Sequence, residues 1–428
     1  MKLIAALVLC AWPAALRAQD TTRAESGVRI GITYVPGSRP TIGVHAPSGA
    51  VFDSVRAIVA RDLEQSDRFE MVESTPDTAA LRLGAAPAPS YLVVLDTAGA
   101  GASAVEVRLT TVGSGLRLMR QSVPLQAMGA PAWRRAVHRV ADEIVRTATS
   151  TPGIAATSLL FVLGGRLVRI DPDGANQVPV GAAGRPALSP AWSPDGRWIA
   201  YMAFVSSGQP IVLQDLVTGR REVVPTTEYG LNITPEFSPD GRRLAFAHGT
   251  EAGTDVYVYD VARRCCVQRL TVGRFSDNLS PTWSPDGQRV AFISDRASSP
   301  QLYVMAADGT GQEVLGRFDF GATGTTAGPA WSPDGQAIAF HREVHGTPQV
   351  FVIDLATRSV RQITDNGRNE DPTWAPDGRH LAFVSSRSGG RDLWVVDLET
   401  GRLRRLTTVG GARLPAWSPL LSTSEERE

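Results

Sequence analysis

Lysine is all but missing from this sequence: Lys2 is the only one, although lysine and arginine together number 43 of the 428 residues. A chain that loses its first residues therefore has no Schiff-base lysine and no phosphate-loop lysine, which excludes pyridoxal-type enzymes and P-loop nucleotidases. Excess charge of either sign is also lacking. The 43 acidic residues balance the 43 basic ones, so neither a basic nucleic-acid-binding surface nor an acidic tail is indicated. Cysteine is scarce, with three in all, and two of these, Cys265 and Cys266, are adjacent. With no other cysteine and no suitably spaced histidine near them, they do not form a zinc set. The plainer reading is two thiols at a strand start, and the alternative in oxidising surroundings is a vicinal disulfide.

Long apolar runs are missing too. The longest candidate is the N-terminal "MKLIAALVLCAWPAALRAQD", which falls short of the roughly 20 residues a membrane-spanning helix requires and is interrupted by Pro13. A positive Lys2, an apolar stretch and a small residue before a polar pair give it the layout of a secretory signal over residues 1–18, with cleavage between Ala18 and Gln19. The mature protein is expected outside the cytoplasm, without direct membrane insertion.

What the sequence has in abundance is one repeated phrase. "PAWSPDGRWIAYMAF" (190–204), "PEFSPDGRRLAFA" (235–247), "PTWSPDGQRVAFISDR" (281–296), "PAWSPDGQAIAF" (329–340) and "PTWAPDGRHLAFV" (372–384) are close copies. In Ser-Pro-Asp-Gly, proline suits the second position of a type I turn and glycine the position that needs positive φ. The pairs Asp195–Gly196, Asp240–Gly241, Asp286–Gly287, Asp334–Gly335 and Asp377–Gly378 are accordingly read as structural turns, not as glycosidase carboxylates. Each turn is followed by an apolar strand, then by a second one such as "DVYVYD" (255–260) or "QVFVID" (349–354), then by a short fourth such as "RQIT" (361–364). The aromatics Trp192, Phe237, Trp283, Trp331, Trp374 and Trp417 recur every 43 to 48 residues. Four strands per period of this length mark the blades of a β-propeller. Trp417 opens a unit with no room to finish, while "SLLFVL" (158–163) and "GRLVRIDPDG" (165–174) look like a unit lacking its first strand. Joined, they bring the count to six blades over 154–421, with 422–428 as a tail.

Residues 28–150 have a different composition. "VRIGITYV" (28–35), "TIGVHA" (41–46), "YLVVLDTAG" (91–99) and "AVEVRLTTV" (104–112) read as strands. Val55, Ile58, Val59 and Leu63 fall on one helical face, as do Trp133, Val137, Val140, Ile144 and Val145 of a second helix. The fold class is therefore mainly β with a smaller α/β domain: a six-bladed β-propeller preceded by an N-terminal α/β domain, with "STPG" (150–153) as the joint.

The Ser-Pro-Asp-Gly blades, the "PAWSP" near the C-terminus, the helix ending "RDLEQSDRFEMV" and "WRRAVHRVADEI" leading through "TPG" together resemble the TolB family, the periplasmic components of the Tol-Pal system. The resemblance covers nearly the whole mature chain. It departs at "APAPS" (86–90), a shortened loop, and at "GIAATSLLFVL" (153–163), which lacks the aromatic and the arginine expected before that strand. It implies a non-enzymatic periplasmic scaffold, without cofactor or metal, that supports outer-membrane integrity and envelope constriction in cell division. The implied partners are a peptidoglycan-associated lipoprotein on the propeller and a TolA-like inner-membrane protein on a flexible arm. That arm is residues 19–27, with Asp20, Thr21, Thr22, Arg23 and Glu25 as contact residues.

The alternative is a secreted propeller enzyme, or a peptidase-related propeller without its hydrolase domain. The Gly-x-Ser-x-Gly elbow of such hydrolases does not occur in the sequence. "GAGASA" (99–104) resembles a dinucleotide loop but precedes a strand pattern where a helix is required. "HREVH" (341–345) has its glutamate misplaced for a helical zinc protease, so its histidines are read as solvated loop residues.

Overall fold

The computed structural model describes residues 39–73, 89–97, 103–126, 128–182, 184–206, 208–226, 230–273, 275–315 and 324–421. The signal, the arm and the strand expected at 28–35 lie outside them. A five-stranded sheet comes first, in the order β2-β1-β3-β4-β5. Its members are β1 (Thr41–His45), β2 (Glu70–Met71), β3 (Tyr91–Thr97), β4 (Ala104–Thr111) and β5 (Arg117–Pro124). β1 runs parallel to β2 and β3, and the remainder is antiparallel. Helices α1 (Ala50–Gln65) and α2 (Pro131–Thr149) pack on this sheet. They bury the expected faces: Val55, Ile58, Val59 and Leu63 on α1, and Trp133, Val137, Val140, Ile144 and Val145 on α2. Pro131 occupies the first turn of α2, where a missing N–H costs nothing.

Six four-stranded antiparallel sheets follow. Blades 1 to 5 span 187–223, 231–269, 278–314, 326–362 and 369–405. Blade 6 has the order Ala412–Trp417, β6 (Leu159–Leu163), β7 (Arg166–Ile170) and β8 (Val178–Val180), so both ends of the propeller chain build it. In each sheet the first strand lies innermost, against the first strands of the adjacent blades.

Each innermost strand carries a proline, which a regular central strand does not tolerate. The structure accommodates all six in β-bulges. The preceding residue takes a left-handed conformation in every blade: Ser189, Thr234, Ser280, Gly328, Asp371 and Leu414 have φ between 49° and 57°. The ladder register shifts at the same points.

Neighbouring blades are tied by bonds that the repeat alone does not announce. Trp283 N–H donates to Glu236 (3.0 Å), Trp331 N–H to Thr282 Oγ1 (3.3 Å) and Trp417 N–H to Thr373 Oγ1 (3.1 Å). Further out, buried Asp255 accepts from Thr271 Oγ1 (2.7 Å), the Gly273 amide (3.0 Å) and Asn278 Nδ2 (3.0 Å), joining blade 2 to blade 3. Cys265 and Cys266 are joined in a vicinal disulfide, which corrects the plainer reading of two thiols. His341 corrects another expectation. It lies inside the strand Ala337–Val344, half-buried, with Nδ1 accepting from the Asp371 amide (3.1 Å), and is not a solvated loop residue.

The shared blade yields a test of closure. Deleting residues 412–428 removes the innermost strand of blade 6 and exposes an edge of β6. The melting temperature is expected to fall by about 10 °C or more, with aggregation, whereas deleting 422–428 leaves it unchanged. Equal melting curves for the two truncations would refute closure through this strand.

Candidate functional site

Three regions stand out: the channel and the docking interface between the α/β domain and the propeller, which bring polar groups together, and the opposite propeller face. The bulged strands line a central channel of about 510 Å³ that includes Ser189, Thr234, Glu236, Ser280 and Asp371. Glu236 is the unusual group. Burial pushes its carboxyl up to about 7, although Oε1 accepts from Thr282 Oγ1 (2.9 Å) and the Trp283 amide (3.0 Å).

The α/β domain docks on the face that carries the Asp-Gly turns. Asp67, held at φ 54°, reaches the buried His380 Nε2 (3.4 Å) and Arg402 Nη1 (3.2 Å) of blade 5. Burial alone would lower the pKa of His380, but hydrogen bonds to Asp377 (2.6 Å) and Asp67 outweigh it and hold the imidazole above its usual value. His138 of α2 behaves likewise, with burial offset by the Asp62 carboxylate at 2.6 Å. Asp173 of the β7–β8 turn takes Arg61 (3.0 Å) and Arg134. Two carboxylate–histidine groups here, Asp62–His138–Asp173 and Asp67–His380–Asp397, have ligand atoms within 4.8 Å of one another. Guanidiniums already occupy their carboxylates: Arg61 and Arg134 on Asp173, Arg402 on Asp67 and Arg379 on Asp397. The arrangement is that of interlocked ion pairs, in which a divalent cation would face positive neighbours.

The linker is held by the same interface. Asp142 of α2 accepts from the amides of Ala155 (2.7 Å) and Ala156 (2.9 Å), and burial pushes its carboxyl up to about 7. The chain passes so close that a Cβ on Gly153 would stand 2.3 Å from Asp142 Oδ1, which explains the glycine of "TPG". Arg404 donates to the Pro172 carbonyl (2.7 Å), and burial lowers its pKa to about 10. It borders a cavity of about 10 Å³ lined also by Asp62, Asp142 and Asp173, about the space one water needs.

The predicted site residues divide into two sets. Ala18, Gln19, Asp20, Thr21, Thr22, Arg23 and Glu25 lie outside the described residues. The five Asp–Gly pairs sit in the turns between the first and second strands of blades 1 to 5. Gly196, Gly241, Gly287, Gly335 and Gly378 have φ between +67° and +73°. Asp195, Asp240, Asp286 and Asp334 accept from the serine hydroxyl two residues before and the amide two residues after. The Ser284 hydroxyl holds the Asp286 carboxyl below its usual range. In blade 5 that serine is replaced by Ala375, and Asp377 turns to His380 instead. Sequence reasoning missed Glu236, Asp142, Asp67 and His380. The one available signal was variation inside the repeat, "PEF" for "PAW" or "PTW" and "GRH" for "GRR".

On the opposite face, formed by the loops that enter each blade and the turns between its second and third strands, apolar side chains stand in solvent. Phe275 is 90 % exposed and Val272 76 %, and Leu231 at the start of the first strand of blade 2 and Phe204 after the second strand of blade 1 are exposed as well. Phe275 N–H donates to the Ala252 carbonyl (3.1 Å), which fixes its backbone there.

Comparison with known proteins gives a consistent picture. The sequence model of the TolB beta propeller domain matches residues 146–420. The chain is 32 % identical over 250 residues to the Tol-Pal system protein TolB of Mannheimia succiniciproducens, covering 51 % of this chain and 55 % of that one. It is 34 % identical over 197 residues to the TolB of Methylococcus capsulatus, covering 42 % and 46 %. The matches thus span about half the length of these relatives. The crystal structure of TolB from Acinetobacter baumannii superimposes with a TM-score of 0.74 at 27 % identity, over 90 % of this chain and 98 % of that one.

Glu236 provides a pH test of this geometry. Its carboxyl is raised in the folded state, so between about pH 4.5 and 7 the native protein keeps a proton that the unfolded chain has lost. Stability is full below that window and declines as pH rises through it. Glu236→Gln keeps the acceptor oxygen and removes the titration, so the decline is expected to flatten by on the order of 2 kcal/mol. Denaturant unfolding at pH 5 and pH 8 measures it, and equal pH dependence in both proteins would refute the buried-acid assignment.

Proposed function

This chain belongs to the TolB family, and on that premise we propose that it is a non-enzymatic periplasmic scaffold of a Tol-Pal-like system, supporting outer-membrane integrity and envelope constriction during division. The propeller binds a peptidoglycan-associated lipoprotein, and residues 19–27 bind a TolA-like protein. The observation that carries the reading is the asymmetry of the propeller. One face is engaged by the α/β domain through ion pairs, while the other presents Phe275 and Val272 on a rigid frame. An exposed aromatic on a preformed surface is the kind of anchor that dominates protein–protein affinity. The sequence 19–27, "QDTTRAESG", is polar and carries no apolar anchor, which suits a segment that orders only on its partner. Among the described residues no helix is long and apolar enough to cross a membrane.

Calorimetry of the mature protein against the two purified partner domains tests both arms of the reading. Phe275→Asp is expected to weaken lipoprotein binding at least about tenfold, or ~1.4 kcal/mol, without changing the melting temperature. Deleting 21–26 is expected to abolish TolA-domain binding and to leave lipoprotein binding intact. Undiminished affinity in either variant refutes the corresponding assignment.

A further inference from the structure

Two blade interfaces are filled by an arginine of the protein itself. Arg243 of blade 2 places its Cζ 4.4 Å from the ring centre of Trp283 in blade 3, and Nη2 donates to the Gly287 carbonyl (3.4 Å). Arg289 of blade 3 lies 4.8 Å over Trp331 in blade 4. Both arginines stand two residues beyond the turn glycine. Between blades 1 and 2 that position is Trp198, which packs against the cluster holding Phe237, the aromatic that matches Trp283 and Trp331, and Tyr259. The position is not arginine here, nor is it in blades 4 and 5, where Ala337 and His380 stand, but at this interface a cleft of about 570 Å³ remains, lined by Trp198, Phe237, Tyr259, Glu222, Asp240 and Arg264 among others.

Tyr259 indicates that this cleft is more than a packing gap. Its register partner is Leu244, and the matching positions in blades 3 and 4 are the aliphatic Met305 and Ile353. Tyr259 is only 4 % exposed, and what it shows of its phenol lines the cleft. Burial raises the pKa of its hydroxyl, with the Glu222 carboxylate adding to the shift and the Arg264 guanidinium opposing it, and Glu222 pairs with Arg264 (3.1 Å) and Arg220 (2.8 Å). Of the three lining carboxylates, Glu222 is shared by Arg264 and Arg220, while Asp195 and Asp240 make their turn bonds through Oδ1 and keep Oδ2 outside them.

We propose that the cleft between blades 1 and 2 is a binding site for an arginine side chain, presented by a small ligand or a peptide, which takes the place that Arg243 and Arg289 occupy at the next two interfaces. A planar guanidinium stacks on aromatic faces and gives up its hydration more readily than an ammonium, so arginine is favoured over lysine. The Tyr259 hydroxyl and the carboxylates supply the acceptors. This site does not depend on the partners assigned above.

NMR titration of the mature protein, followed at Leu213 and Ala262, tests it with N-acetyl-arginine methylamide, the corresponding lysine amide and ethylguanidinium. The two guanidinium compounds are expected to bind saturably with a Kd of about 1–10 mM, the lysine amide at least about tenfold more weakly. A gain of the arginine amide over ethylguanidinium assigns the source as a peptide, and equal affinity assigns it as the side chain alone. Trp198→Arg supplies the guanidinium in cis and is expected to abolish binding, while Tyr259→Phe weakens it about two- to fivefold. The proposal is overturned by no saturable shift at about 50 mM arginine amide, by equal lysine binding, or by wild-type affinity in Trp198→Arg. Should Trp198→Arg not fold, the volume-conserving Tyr259→Phe decides, and unchanged affinity there overturns the site.

Discussion

Trp417 lies opposite Leu159 in the ladder between the last strand and β6, and the ring depends on that pairing. Five blades are meanders of consecutive strands, but a sheet that ends in solvent exposes an edge, and only closure removes it. The closing contacts sit beside the interdomain linker. The Trp417 indole donates to Thr157 Oγ1 (2.8 Å), and Ser418 N–H donates to the Ser158 carbonyl (2.8 Å). One and two residues before Thr157, the Ala156 and Ala155 amides are held by Asp142 of α2. Closure of the propeller and docking of the α/β domain therefore use one short stretch of chain, and loosening either costs the other its anchor.

How much of this could be read in advance follows from the range of each interaction. Blade number and turn positions were legible because turn chemistry is local: the glycine of each Asp–Gly pair needs positive φ whatever surrounds it. The bulges were half legible. A proline in every innermost strand marks them, but the left-handed residue before it is Ser189, Thr234, Ser280, Gly328, Asp371 or Leu414, so no one residue type runs through all six blades. The docking interface was not legible at all. Asp67 and His380 are 313 positions apart, and Arg404 reads as one more residue of a short outer strand until the fold places it beside Pro172. Long-range charge pairing leaves no periodic trace in one sequence.

The vicinal disulfide shows the same limit at the shortest range. Adjacent cysteines allow either a bond or two thiols, and nothing in the flanking residues selects between them. In the fold, Arg264 and Cys266 both adopt positive φ, and the ladder slips between Tyr259 and Asp260, giving the strand start an irregular backbone in which the two sulfurs meet.

The docking interface is built from charges where apolar packing would have served for cohesion. A buried ion pair contributes little net stability, because desolvation of both partners offsets their attraction. What it does impose is direction. Asp67 must meet Arg402 and His380 together, and Asp173 must meet Arg61 and Arg134 together. A rotated or shifted domain would bury several unpaired charges at once, at a cost that no alternative contact repays. Charge pairing at this interface thus fixes the orientation of the α/β domain on blades 5 and 6, and the apolar side chains around Phe275 stay on the face turned away from it.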